Sequence, residues 1–363
     1  MRLLNFTPFS AGITVVVNKY GREFVLAVNK GTFAIREDGT CSIAEAQQPL
    51  AYADECYDEP GLSSVRYESD FALHKPATDV IVNGSAWASQ GRAAFQVDVS
   101  LEISTIRKTI RVFGDRQWEY LPVEGYRATT PEPFLSMPIM YERSFGGPDL
   151  SVKDRAQRPT HPGNPVGPGF HGGLHNQIAG TRLPNIENPY DLIRQPGQAV
   201  GPVGLGIVAR NWRPRFQWAG TYDETWRENY FPFLPPDFDD RFFLSAPADQ
   251  CCAYLRGGER LTLTNATPDG RLVFDVPSIT MPITLVHRKG SDVFDPLLDT
   301  LIIEPDLRRF LITWRAAFPL LCKPTDVSQV WIGNASDARK RALLRGKRFI
   351  ERIRKPGESK GNV

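Results

Sequence analysis

A chain of 363 residues, 41% hydrophobic and 23% charged, is long enough to bury a large core and too apolar to stay disordered over most of its length. Its net charge of +2 gives neither nucleic acid nor a membrane surface an obvious electrostatic hold on it. The five cysteines, two of them adjacent at Cys251 and Cys252, show no CxxC or zinc spacing and read as reduced thiols of a cytoplasmic protein.

The first residues, MRLLNFTPFSAGITVVV, are interrupted at Asn5, Thr7 and Pro8. They do not fit a secretory signal, and no stretch reaches the ~18–20 apolar residues of a membrane span. From 13 to 35, apolar and polar residues alternate around KYGR and NKG, which predicts a meander of strands turning at both places. Another strand is expected over 67–73. TDVIVNG, AAFQVDVSLEI, STIRKTIRVFG and RQWEYL, between 77 and 121, read as four more with Gly, Asn and Asp turns. In STIRKTIRVFG the charged residues alternate with Ile106, Ile110 and Val112, giving one wet and one dry face. Residues 1–125 are thus expected to form an antiparallel β domain.

Residues 126–259 have a different character. Between 131 and 249 lie 17 Pro and 13 Gly, and a residue without an amide donor or one suited to positive φ argues against long regular elements. Yet aromatic residues crowd the stretch from Trp212 to Phe243, carrying more apolar area than a linker can leave in water. A long ordered loop region packed on a sheet is the expectation. Trp and Tyr mixed with Arg is also the composition of interface hot spots. Most of these rings read as core, with a groove for an extended peptide as the lesser alternative; if the chain binds a partner protein, Trp212, Arg215, Trp218, Tyr222 and Trp226 are expected to contact it or to shape the contact surface.

Strand patterns return over 260–335 in RLTLTN, GRLVFDV, ITMPITLVH, DTLIIEPD, RRFLITWRA and VSQVWIG, a second set of β hairpins that either shares one core with the first or stands apart. Residues 336–363 hold 10 Lys/Arg against 3 Asp/Glu, a net +7 that leaves the first 335 residues at −5. A helix capped by Ser336 and running to about 354 is expected, then a fraying tail. The fold class is mainly β: antiparallel sandwich or meander sheets, a Pro/Gly/aromatic-rich loop region and a basic C-terminal helix.

Three of the five histidines, His161, His171 and His175, lie in RPTHPGNPVGPGFHGGLHNQ. His171 and His175 have the spacing of two zinc ligands on a helix. Gly172, Gly173 and the preceding prolines remove that helix, so the three read as polar loop residues, with a metal-dependent hydrolase as the alternative. GxSxG, HExxH, Walker and strand-borne GxGxxG patterns are missing, and Ser144 beside Gly146 and Gly147 reads as a turn. No catalytic residue and no cofactor are expected. The basic helix (Arg339, Lys340, Arg341 and Arg345 among others) reads as a solvated face; docking of an acidic partner is the better functional alternative and nucleic acid the weaker one.

Eight ordered motifs carry a family resemblance: YERSFGGPD, NPVGPGF, LPNIENP, WRPR at 212–215, AGTYDETW, LPPDFDDRFF, APADQ and LRGGE. The later DTLIIEPDLRRFLITWR extends it. The chain resembles the bacterial family catalogued as domain of unknown function 2169, from the N-terminal strands to Arg315 and most closely over 141–259. The resemblance implies a non-enzymatic adaptor, or chaperone, that holds a type VI secretion effector. It would help mount that effector on the valine–glycine-repeat spike protein (VgrG) or its PAAR tip. It transfers no catalytic residue, implies no small-molecule substrate, and does not reach the basic helix.

Overall fold

The computed structural model describes residues 1–173, 178–288, 290–320 and 326–345. It is mainly β, with three principal sheets, mostly antiparallel and none closed into a barrel among the described residues. In the largest, the strands run in the order Cys251–Cys252, Thr78–Val82, Leu297–Glu304, Arg309–Pro319, Glu23–Ile35 and Ser10–Val17, with Cys41–Ile43 added beside Glu23–Ile35. Only Thr78–Val82 and Leu297–Glu304 pair in parallel within it. A five-stranded sheet orders Ile186–Glu187, Ile106–Phe113, Gln96–Ile103, Arg260–Thr264 and Arg271–Asp275. A four-stranded one orders Arg2–Asn5, Val327–Ile332, Ile283–His287 and Gly290–Phe294. Strands from 1–125 and from 260–335 thus interleave in the same sheets.

Period-two side chains explain the layering. Val80, Leu301, Ile303, Phe310, Ile312, Trp314, Val25 and Phe33 leave one face of the largest sheet and join Val99, Leu101, Ile110, Leu261, Leu263, Ile283 and Val330 of the other two sheets in one core. Phe33 and Phe310, paired on neighbouring strands of the largest sheet, stack at 5.1 Å, and Phe274 of the five-stranded sheet stacks on Phe310 at 4.6 Å across the interface. Ile81, Ile302 and Leu311 leave the opposite face and meet Tyr67, Tyr141, Ile207 and Trp212 of the loops. Being covered on both sides, the central strands are nearly continuous in apolar residues.

NKG is not a turn. Glu23–Ile35 runs through it as one 13-residue strand. Lys30, 1% exposed, stays in the strand because its ammonium meets the Asp70 carboxylate at 2.9 Å. Gly31 stays because a Cβ there would press within 3.0 Å of the Phe9 and Phe33 rings. The strand expected over 67–73 is shorter and earlier, Val65–Tyr67. The C-terminal helix covers Asp337–Leu344, with the Ser336 hydroxyl accepting from the Arg339 amide at 3.3 Å; the rest of its expected length lies outside the described residues. Cys41, Cys56, Cys251 and Cys252 are free thiols. No helix among the described residues is long and apolar enough to cross a membrane.

Candidate functional site

The loop region divides into a part that is locked down and a part that is displayed. Trp212 is 3% exposed and meets Tyr141 edge-on at 5.3 Å. Arg215 is also buried. Its guanidinium donates to the carbonyls of Val208 (2.6 Å) and Phe242 (2.7 Å) and to the Glu68 carboxylate (2.7 Å). Arg210 reaches the same Glu68 oxygen at 2.7 Å. Burial pushes the Glu68 carboxyl up, but Arg215, Lys75 and Arg210 outweigh it and hold its pKa below the ordinary value. Trp212 and Arg215 thus lie beneath the surface: Trp212 packs in the cluster that includes Ile81, Ile302 and Leu311 of the sheet, and Arg215 ties three loop segments together.

The displayed part is a lobe over 216–243. Asp223 caps the helix Glu224–Asn229, its Oδ1 accepting from the Trp226 amide at 2.8 Å. The Trp226 indole N–H donates to the Phe233 carbonyl at 2.9 Å, folding the segment after the helix back over it. Tyr222 and Phe231 lie edge-on to Trp226 at 4.7 and 5.7 Å. The Arg241 guanidinium sits 5.0 Å from the centre of the half-buried Trp218 ring. At the lobe's base, Lys19 donates to the Phe238 carbonyl at 2.9 Å, and the Phe233 ring packs on the turn at Gly21. Phe216, Tyr222, Tyr230 and Phe231 are between 42% and 66% exposed, and Tyr20, in the turn on which Phe233 packs, is 80% exposed. Thr221 donates its amide and hydroxyl to Asp237, lowering that carboxyl's pKa, while burial and then Asp237 raise that of the Tyr222 hydroxyl.

Of the five residues expected at a contact surface, the structure brings Tyr222 and Trp226 into one cluster. It puts Trp218 nearby and turns Trp212 and Arg215 inward. The histidines take separate places. His161 lies edge-on to Phe145 and Phe170 at 5.4 and 5.3 Å, and burial lowers its pKa. The buried His171 has its Nδ1 3.7 Å from an oxygen of Asp149. His175 lies outside the described residues. Among the described residues, no group of three or more His, Cys, Asp and Glu side chains is placed to hold a metal.

A polar layer went unread in the sequence. On the loop-facing side of the largest sheet, Arg315 pairs with Asp299 and donates to the Asp70 carbonyl at 2.6 Å. Lys75 reaches Asp79 at 2.6 Å and the Ser245 hydroxyl at 3.2 Å. Arg309 reaches Glu304 at 2.5 Å, and Glu304 also accepts from Tyr67. Burial raises the Asp79 pKa, but Lys75 and two hydrogen bonds from Ser245 bring it below the ordinary value. The clue was present in DTLIIEPDLRRFLITWR, where single charges punctuate apolar strands. Ser245, Lys75 and Asp79 resemble a nucleophile with its activators, but each is at most 3% exposed, so no substrate reaches them without the loops moving.

A family model described as "Uncharacterized protein conserved in bacteria (DUF2169)" matches residues 20–315. No curated protein and no solved structure matches the chain.

Proposed function

The chain belongs to the DUF2169 family, and from that premise we propose that it is a non-enzymatic adaptor. It holds a type VI secretion effector in the cytoplasm and delivers it to the VgrG/PAAR spike. The secretion role is the one implied by the sequence resemblance. The observation that carries an interaction role is the lobe: Tyr222 and Phe231 stand exposed against the Trp226 ring, with Phe216 and Tyr230 exposed in the same segment, on a backbone braced by the Asp223 cap, the Trp226–Phe233 bond and Lys19. Rigid aromatic rings held out of a core offer large contact area at small entropic cost. Solitary exposed apolar residues need no explanation, but a braced group of them marks a contact surface.

Co-expression with the effector and spike-tip proteins encoded beside it tests this reading. The expected result is a complex that survives gel filtration and is lost on Phe231→Asp with Tyr222→Asp, while the variant keeps its unfolding midpoint. Retention of neither protein overturns the reading.

A further inference from the structure

The five-stranded sheet has an incomplete edge. Ile106–Phe113 pairs along its length with Gln96–Ile103, but on its other side it has partners only at its C-terminal end, where Arg111 and Val112 face Glu187 and Ile186 and the Phe113 amide donates to the Asn185 carbonyl at 2.8 Å. The ladder stops there for a local reason. Pro189 has no amide to donate, and Asn188 turns the chain away by accepting from the Tyr190 amide through its side chain (3.0 Å) and from the Asp191 amide through its carbonyl (3.0 Å). Antiparallel strands direct successive residues' backbone groups to alternate sides. Since the two-residue turn at Ser104 closes with Ile106 facing Ile103, Arg107 and Thr109 direct their N–H and C=O groups to the open side. No hydrogen bond among the described residues uses those four groups.

That open edge is the wall of a cleft of about 440 Å³, in the size range of small binding sites. Arg107, Lys108 and Thr109 line it together with Asn188, Tyr190, Pro202 to Gly204 and Arg213. Arg213 is exposed and has no ion pair among the described residues. Arg107 is 3.6 Å from Glu102, and Lys108 is held by Asp249 at 2.7 Å, the one carboxylate lining the cleft. Burial lowers the Lys108 pKa and Asp249 offsets part of that, so a second carboxylate would find a cation already short of solvent.

We propose that this edge receives an extended, acidic segment of a partner protein, added to the sheet as a strand beyond Ile106–Phe113 and in line with Ile186–Glu187. The backbone groups of Arg107 and Thr109 supply the ladder, and Arg213 and Arg107 select for Asp or Glu side chains. The chain's own tail does not suit the place, since residues 346–363 carry six Lys/Arg against two Glu. Nor does a second copy, because a two-fold pairing of this edge would bring Arg107 and Lys108 against their own counterparts. The inference rests on the adaptor reading for the nature of the partner.

The test uses the full chain and a fluorescein-labelled octapeptide of alternating Glu and Thr, capped at both ends, with the Lys/Thr peptide as control. The Glu/Thr peptide should bind in a salt-sensitive way and slow amide exchange at Arg107 and Thr109. Arg213→Glu should weaken it by about tenfold or more. Thr109→Pro, which an edge strand tolerates on its open side, should do the same. Equal binding of the Lys/Thr peptide, indifference to Arg213→Glu, or unchanged exchange at both amides overturns the proposal, and the exchange measurement on the unaltered chain decides even if Thr109→Pro misfolds. The two readings fail separately: an effector that co-purifies while the peptide does not bind removes the edge and leaves the adaptor, and the reverse outcome removes the adaptor and leaves the edge.

Discussion

The buried ionic layer and the aromatic lobe place the expected residue types on the wrong sides of the molecule. Arg315, Arg215, Lys75 and Lys30 are charged and inside; Phe231, Tyr222 and Phe216 are apolar and outside. The layer is closed. Each of its cations is matched by a carboxylate, Asp299, Glu68, Asp79 and Asp70 respectively. The lobe is open: Tyr222 and Phe231 meet the Trp226 ring edge-on and remain more than half exposed, and Phe216 is 61% exposed. The contrast separates holding from binding. Buried charges give the long loops a single register on the sheet, and a loop so fixed can display rings without collapsing onto them.

The contrast is broken most severely by removing one partner in the layer. Arg315→Met leaves Asp299 buried and uncompensated and should cost about 3–5 kcal/mol, read as a lower urea midpoint. A smaller loss from this than from truncating an exposed pair such as Arg260–Asp275 would mean the layer is not closed. Protons probe the same closure. Glu68 and Asp79 have native pKa values below their ordinary 4.5 and 3.8, so the unfolded chain takes up protons first as the pH falls. Their contribution is complete above about 4.5 and is lost as the pH drops through the native values. Stability should fall on that acid side, and the limb should flatten in Glu68→Gln.

The lobe should answer in the opposite currency. Phe231→Ala removes a ring that is 66% exposed, so the unfolding free energy should change by no more than about 0.5 kcal/mol. Effector affinity should fall by about 2 kcal/mol or more if Phe231 is an anchor. An equal loss in both measurements would make the ring part of the fold and not of an interface.

How much of this could be read in advance follows from which interactions are local. Strands such as Gln96–Ile103 and Ile106–Phe113 announce themselves because alternation and a two-residue turn lie within their own residues. NKG reads as a turn because what straightens it is distant: Asp70 is 40 residues from Lys30, and Phe9 is 22 from Gly31. Likewise, nothing near Trp212 or Trp226 says that one is core and the other half-buried. That depends on Tyr141 in one case and on an Asp223-capped helix in the other. Lys108 shows the same limit within a single strand: it stands at a dry-face position beside Ile106 and Ile110, made tolerable by Asp249, 141 residues away.

The lobe's bracing is itself testable at its smallest part. Glu224–Asn229 has only six residues, too few to hold a helix by propensity alone, so it depends on its cap and on the Trp226–Phe233 bond. Asp223→Ala removes the acceptor for the Trp226 amide and should cost about 1 kcal/mol. That cost should appear as local fraying, because the core does not pass through the lobe. Amide exchange should therefore quicken over 224–230 while the central strands Leu297–Glu304 and Arg309–Pro319 keep theirs. If capture weakens alongside this fraying, pre-organisation of the rings is part of the binding surface. If the whole protein unfolds earlier, the lobe belongs to the closed region and the division between the two is lost.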